Sequence, residues 1–160
     1  MKAPLSWFIL NGTDLEKIIN KTLKVLIIDD DDVSNFIYRK VIENCNFAKK
    51  IDDFQRAQQA LQYLIDNLGN FEDFPDLIFL DINMPIMNGW EFLEEYISRV
   101  WPQLPKRSVL CMLSSSVYKE DIGRAESYEQ IDEYISKPLT KDHIRMIVKK
   151  YFNIELIRDN

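Results

Sequence analysis

Short apolar runs alternate with stretches in which apolar residues recur every three or four positions. Val25-Leu-Ile-Ile28 is the first run, and it ends in Asp29-Asp30-Asp31-Asp32. Val33, Phe36, Ile37 and Val41 follow at helical spacing, which predicts a helix with that side inward. Lys50-Ile-Asp-Asp-Phe54 predicts a short second strand. Ala57, Ala60, Leu61, Leu64 and Leu68 predict a second amphipathic helix, stopped by Gly69. Leu77 to Leu80, bounded by Pro75-Asp76 and Asp81, reads as a strand buried on both faces of a parallel sheet. Met84-Pro85 and Asn88-Gly89 then turn the chain away. Trp90, Leu93, Ile97 and Trp101 line a third helix that Pro102 ends. Val109 to Leu113 is the fourth strand, closing in Ser114-Ser115-Ser116. The polar segment from Tyr118 to Gln130 predicts a helix with a weak apolar side: Ile122, Ala125 and Tyr128. Glu133-Tyr-Ile-Ser136 is the fifth strand and runs into Lys137-Pro138. Thr140 caps a last helix with Ile144, Ile147, Val148 and Tyr151 inward.

Strand–helix alternation of this kind specifies an α/β fold: a parallel sheet, helices on both faces and right-handed crossovers. Five strands and five helices fit within residues 22–152, which form one domain. Residues 1–21 are an N-terminal extension. Its run Pro4-Leu-Ser-Trp-Phe-Ile-Leu10 lacks a small-residue cleavage site, so it does not read as a secretory signal. Thr13 and Glu16 have capping-box spacing, and Leu15, Ile18 and Ile19 share a side, so a short helix is predicted there. Packing on the domain and docking to a partner are both open roles for it. Residues 153–160 are a C-terminal tail, too short for a DNA-binding or enzymatic unit.

Composition narrows the partners. The net charge of -6 argues against nucleic acid and against an anionic membrane surface, since both need a cationic face. No apolar run approaches the roughly 18 residues that span a bilayer. The two cysteines, Cys45 and Cys111, fall at helix and strand positions. They read as buried thiols rather than a disulfide or metal pair, which suits a reducing, cytoplasmic setting.

Ligands of open parallel sheets bind at the carboxyl ends of the strands. Those ends supply Asp29 and Asp30 from the first strand, Asp81 from the third, Ser114 and Ser115 from the fourth and Lys137 from the fifth. Three carboxylates in one pocket raise one another's pKa values. One ammonium offsets one charge and leaves room for a divalent cation. Oxygen-only ligands favour Mg2+. The single histidine, His143, falls on the last helix and reads as solvent-facing; with no His/Cys cluster, zinc is not expected.

This ordered set resembles the receiver domain of two-component response regulators. The motifs are the Asp pair after the first strand, Leu80-Asp81-Ile-Asn-Met-Pro-Ile-Met-Asn-Gly89 after the third, a hydroxyl residue after the fourth and Lys137-Pro138 after the fifth. The resemblance implies a flavodoxin-like doubly wound sheet in the order 2-1-3-4-5. It implies Asp81 as phosphoacceptor, with Asp30 and Asp81 as Mg2+ ligands, Asp29 acting through metal-bound water and the backbone carbonyl of Asn83 as a further ligand. Lys137 is expected to pair with Asp81 and then with the phosphoryl group. Ser114 and Tyr134 fall at the switch positions. Asp31 and Asp32 are left to begin the first helix, where negative charge is favoured.

The resemblance also implies a phosphohistidine donor, on a sensor histidine kinase or histidine phosphotransfer protein, and an unknown downstream protein partner. It implies a monomer or weak homodimer that catalyses only its own phosphorylation and dephosphorylation. A receiver-like interaction module that acts without phosphorylation is the competing expectation. A metal-dependent phosphatase is disfavoured, because such enzymes place a second acid where Asn83 stands. Three departures stand out, of which the smallest is Ser114 in place of Thr, which loses a methyl but keeps the hydroxyl. Tyr128-Glu-Gln-Ile-Asp132 replaces the small turn usual before the fifth strand, and Asn88 stands where an acid is common.

Overall fold

The computed structural model describes residues 22–115 and 119–157. The readings placed on residues 1–21, on Ser116 and Tyr118 and on residues 158–160 lie outside the described residues. In chain order the elements are β1 (Leu23–Ile28), α1 (Asp32–Cys45), β2 (Ala48–Phe54), α2 (Ala57–Asp66), β3 (Leu77–Asp81) and α3 (Gly89–Arg99). A 3-10 turn (Trp101–Gln103) follows, then β4 (Val109–Ser114), α4 (Lys119–Glu126), β5 (Glu133–Ser136) and α5 (Lys141–Phe152). All strand pairs are parallel, and the order is β2-β1-β3-β4-β5. The five strands, five helices and strand order match the expectation.

Alternation along each strand divides the interior into two layers. Leu26, Ile28, Ile78, Leu80, Leu110 and Met112 face α2 and α3, where they meet Ala60, Leu64, Phe92, Leu93 and Tyr96. Val25, Ile27, Leu77, Phe79, Cys111 and Leu113 face α1 and α5, where they meet Tyr38, Ile42, Ile144, Ile147 and Val148. Each fully buried side chain of this size contributes about 1.5–3 kcal/mol. β1, β3 and β4 are buried along their whole length, as their unbroken apolar runs require. β2 lies at an edge and carries exposed Lys49 and Lys50, which discourage pairing with another chain.

Three helices depart from their expected form, and the slightest departure is that α3 ends at Arg99 and leaves Trp101 to the 3-10 turn. The buried side of α1 is Asn35, Tyr38 and Ile42, whereas Val33, Phe36 and Ile37 are exposed at 61%, 61% and 47%. The inward stripe contains an amide and a phenol, so counting apolar residues selects its neighbour. α4 ends at Glu126 rather than near Gln130. Tyr128 leaves the helix to stack on Trp90 at 6.2 Å between centroids, and its hydroxyl donates to Glu94 at 2.5 Å. Asp132 then accepts the Leu110 N–H at 2.9 Å. These contacts close the connection in which a small turn is absent.

α5 begins as expected at Thr140, but His143 is half-buried and belongs to that start. Its Nδ1 accepts the Thr140 N–H while the Thr140 hydroxyl accepts the His143 N–H, a reciprocal cap rather than a free surface residue. Neither cysteine is in a disulfide; Cys45 is only half-buried, whereas Cys111 is buried and its pKa is pushed well up by that burial. Among the described residues, no helix is long and apolar enough to cross a membrane.

Candidate functional site at the carboxyl ends of β1 and β3

The strand order reverses direction between β1 and β3, and the ends of these two strands form the switch point at which such sheets bind ligands. Ile28 is registered with Leu80, so Asp29 and Asp81, the next residue of each strand's path, stand side by side. Asp29, Asp30 and Asp81 each offer a carboxylate oxygen, and these oxygens lie within 4.8 Å of one another. Asp29 and Asp81 are buried, and Asp30 is exposed. The three acids predicted from distant parts of the chain therefore share one site.

Lys137 reaches this site from the end of β5. Its Nζ lies 2.9 Å from Asp81 Oδ1 and 2.9 Å from Asp29 Oδ2. The first contact was expected; the second shows that Asp29 shares the lysine. Asp29 is also tied by its Oδ1, which accepts the Asp31 N–H at 3.0 Å. Asp31 caps α1, accepting the Val33 N–H at 3.1 Å and the Ser34 hydroxyl at 2.8 Å, and Asp32 occupies the first turn. The four-Asp run thus divides as expected into a site pair and a capping pair.

Asp81 has its carboxyl pKa raised from 3.8 to about 6. Burial is the main cause, opposed by the hydrogen bond to Lys137 and reinforced by the charge of Asp29. The backbone N–H of Asn83 also donates to this carboxylate and lowers its pKa slightly. Burial alone would lower the Lys137 pKa, but its bonds to Asp29 and Asp81 and their charges outweigh it and raise the value. The two partners shift in the same direction because one lysine serves two acids. The lysine is doubly stabilised as a cation, while Asp81 remains short of positive charge. Three carboxylates against one ammonium, all with oxygen donors, fit a hydrated divalent cation of the Mg2+ type.

Ser114 closes β4 and is fully buried. Asp81 is registered with Leu113, so Ser114 sits one step beyond it toward the rim, and its carbonyl accepts the Lys137 N–H at 2.8 Å. Tyr134 lies two strand positions before Ser136 and is half-buried. It borders a groove of about 360 Å³ with Ile122, Ala125, Ile131 and Glu133. The Lys137–Pro138 peptide bond is cis.

The loop after Asp81 is held from below by Gly89. Its N–H donates to the Ile82 carbonyl at 2.8 Å, and a Cβ there would stand 2.5 Å from the Asp81 carbonyl oxygen. Glycine is required by this close approach, not merely by the turn. Asn88 caps α3 in a reciprocal box with Glu91, a task for which an amide serves as well as an acid. Ile86, at the tip of the loop, is 85% exposed and has a φ of 69°. A β-branched residue in that region is an outlier, so local strain lies five residues from the acid.

Sequence reasoning missed Asn35, whose Nδ2 donates to the Asp29 carbonyl at 2.8 Å. A polar residue at i+6 from the first acid, where α1 turns inward, was the available signal.

The family model for the response regulator receiver domain matches residues 25–149. A solved two-component response regulator from Cytophaga hutchinsonii superposes with a TM-score of 0.74 at 34% identity, over 81% of this chain and 96% of that one. The receiver domain of the histidine kinase CKI1 from Arabidopsis thaliana, complexed with Mg2+ and BeF3−, shares the fold at 19% identity and a TM-score of 0.64, covering 87% of this chain and 90% of that one. Hybrid signal transduction histidine kinase L of Dictyostelium discoideum is 30% identical over 129 residues, which are 80% of this chain and 7% of that protein. The chain thus spans a small part of that kinase but nearly all of the solved regulator. With its five-stranded order, its acid cluster and its lysine, the chain belongs to the response regulator receiver domain family.

Proposed function

We propose that Asp81 accepts a phosphoryl group from a phosphohistidine donor in a Mg2+-dependent reaction, and that the modified domain then presents an altered protein-binding face. The observation that carries this reading is the charge at the rim: three carboxylates within 4.8 Å of one another, with one ammonium shared between two of them. Asp30, Asp81 and the backbone of Asn83 are the groups suited to hold the ion, with Asp29 beside them. When bound, Mg2+ neutralises the acids and the incoming phosphoryl oxygens.

The chain's own residues supply the rest. A carboxylate oxygen of Asp81 attacks phosphorus, the P–N bond to the donor imidazole breaks, and the imidazole leaves with that electron pair. The product is an acyl phosphate. Lys137 is already at Asp81 and can follow the transferred charge without a long movement. The added group brings about -1.5 to -2 charge and three acceptor oxygens. The Ser114 hydroxyl can donate to one of them, which draws the end of β4 toward the rim. Tyr134 responds on the neighbouring strand, where it borders the groove under α4. The phosphoryl group biases two arrangements of the same face.

The donor's seat is the exposed stripe of α1. Val33, Phe36 and Ile37 stand in the first turns of the helix that starts at the acid pair. A histidine kinase or phosphotransfer protein docking there brings its imidazole over Asp81. The domain itself turns over no other substrate, and the reading places it in the cytoplasm with both thiols reduced.

Acetyl phosphate with Mg2+ tests the reading. The expected result is a mass gain of one phosphoryl group, about 80 Da by the chemistry of the added group. It is lost in Asp81→Asn and when EDTA replaces Mg2+. A protein that stays unmodified under these conditions, and with a phosphohistidine donor, acts instead as an interaction module without phosphorylation.

A further inference from the structure

We infer that Asn35 is a positioning residue for the cation site and tunes it toward Mg2+ over larger divalent ions, an inference that rests on the metal-binding reading of the rim. Asn35 lies near the start of α1 and is 3% exposed. Its Nδ2 donates to the Asp29 carbonyl at 2.8 Å. Only the NH2 end of an amide can donate to a carbonyl, so the contact sets the orientation of the group. Its Oδ1 is then buried with no protein donor among the described residues. A buried polar atom in this condition is costly to keep. The same helix side carries Tyr38 and Ile42 against the sheet, so an apolar residue of similar size would pack there without that cost. The amide is retained for its bond to Asp29.

That bond acts on both acids. The Asp29 carbonyl belongs to the peptide plane that joins Asp29 to Asp30, and the plane moves as a unit. Asp29 is otherwise held by its N–H donating to the Phe54 carbonyl at 3.2 Å, by Asp31 N–H at 3.0 Å and by Lys137 at 2.9 Å. None of these three grips the Asp29–Asp30 plane itself. Asn35 does, and it anchors that plane to a buried helix side.

Cation chemistry then separates two ions. Mg2+ demands near-ideal octahedral geometry at short distances, whereas Ca2+ accepts more ligands, longer bonds and irregular geometry. A pinned acid pair favours the demanding ion. Releasing the Asp29–Asp30 plane penalises Mg2+ and costs Ca2+ little. A general loss of stability would weaken both ions together.

Calorimetric titration of the unphosphorylated full chain with MgCl2 and with CaCl2 tests this. For Asn35→Leu and Asn35→Ser, the expected Mg2+ Kd rises about tenfold while the Ca2+ Kd changes less than about twofold. Should Asn35→Leu fail to fold, Asn35→Ser reports the same ratio. Equal shifts for the two ions, or no shift for either, overturn the inference. Asp30→Asn separates the two levels of the claim. Wild-type Mg2+ binding lost in Asp30→Asn but unchanged in the Asn35 variants sinks the positioning role alone. A wild-type chain that binds no Mg2+ sinks the rim reading and this inference with it.

Discussion

Asp76 and Asp81 stand at opposite ends of β3 and have opposite fates. Asp76 accepts the Lys24 backbone N–H at 2.8 Å with one oxygen and meets Lys106 at 2.8 Å with the other. Around it, Lys24 pairs with Asp73 at 2.8 Å, Arg107 pairs with Asp132 and the Ser108 hydroxyl donates to the Pro75 carbonyl at 2.6 Å. At that amino end, acids and bases are matched, and the contacts fasten loops to strand starts. Asp81 shares its one ammonium with Asp29 and has Asp30 nearby. Its end of the strand carries surplus negative charge and strained backbone at Ile86. The same residue type is a fastening where its charge is matched and, in the proposed function, the reactive group where it is not.

Exchanging the environments one residue at a time breaks this comparison. The largest effect on stability is expected at the matched end. Asp76→Ala leaves the Lys24 amide and the Lys106 ammonium without their partner and is expected to cost about 2 kcal/mol. Urea unfolding measures the cost, and Mg2+ affinity should stay within twofold of wild type. A variant that kept its stability but lost Mg2+ would erase the distinction between the two ends.

Next in size is an effect on transfer alone. Phe36→Asp replaces an exposed apolar side chain beside the reactive end. It is expected to slow phosphorylation by a phosphohistidine donor about tenfold, leaving acetyl phosphate labelling and thermal stability unchanged. Equal slowing with both donors would place Phe36 in the chemistry rather than in docking.

The smallest effect is a pH dependence. The folded chain holds the Asp81 proton more tightly than the unfolded chain does, with pKa values of about 6 against 3.8. Stability from this group is therefore fully present below about pH 4 and is lost as pH rises through 6. In EDTA, the wild type is expected to lose about 1 kcal/mol between pH 5 and pH 7.5 relative to Asp81→Asn. Parallel stability–pH curves for the two proteins would show that burial does not raise the Asp81 pKa.

The apolar runs located β1, β3 and β4, because strands buried on both faces must be short and continuously apolar, while the edge strands β2 and β5 were legible from their places between helices. Periodicity placed α2 and α5 for a related reason, since their buried sides are apolar throughout, and it placed α3 although that helix also buries Tyr96. It misplaced the inward side of α1, where Asn35 and Tyr38 interrupt the pattern, and it overextended α4, where Tyr128 and Asp132 find partners on α3 and β4. Both failures have one origin. A polar residue's destination is set by a partner that local sequence does not name.

The site divides in the same way. Which residues it contains was legible, since Asp29, Asp30, Asp81, Ser114 and Lys137 each stand at or just past the end of a strand and parallel strands deliver their ends to one rim. How charge is distributed among them was not. That Lys137 serves Asp29 as well as Asp81, that Gly89 lies against the Asp81 carbonyl and that Asn35 grips the Asp29–Asp30 plane all depend on close approaches between residues from different elements. The one-dimensional pattern determined the elements and the list of reactive groups, because both follow from local period and strand polarity. Tertiary packing decided which acids share the lysine and which end of β3 keeps surplus negative charge, because electrostatic pairing falls off with separation in space and takes no account of separation along the chain.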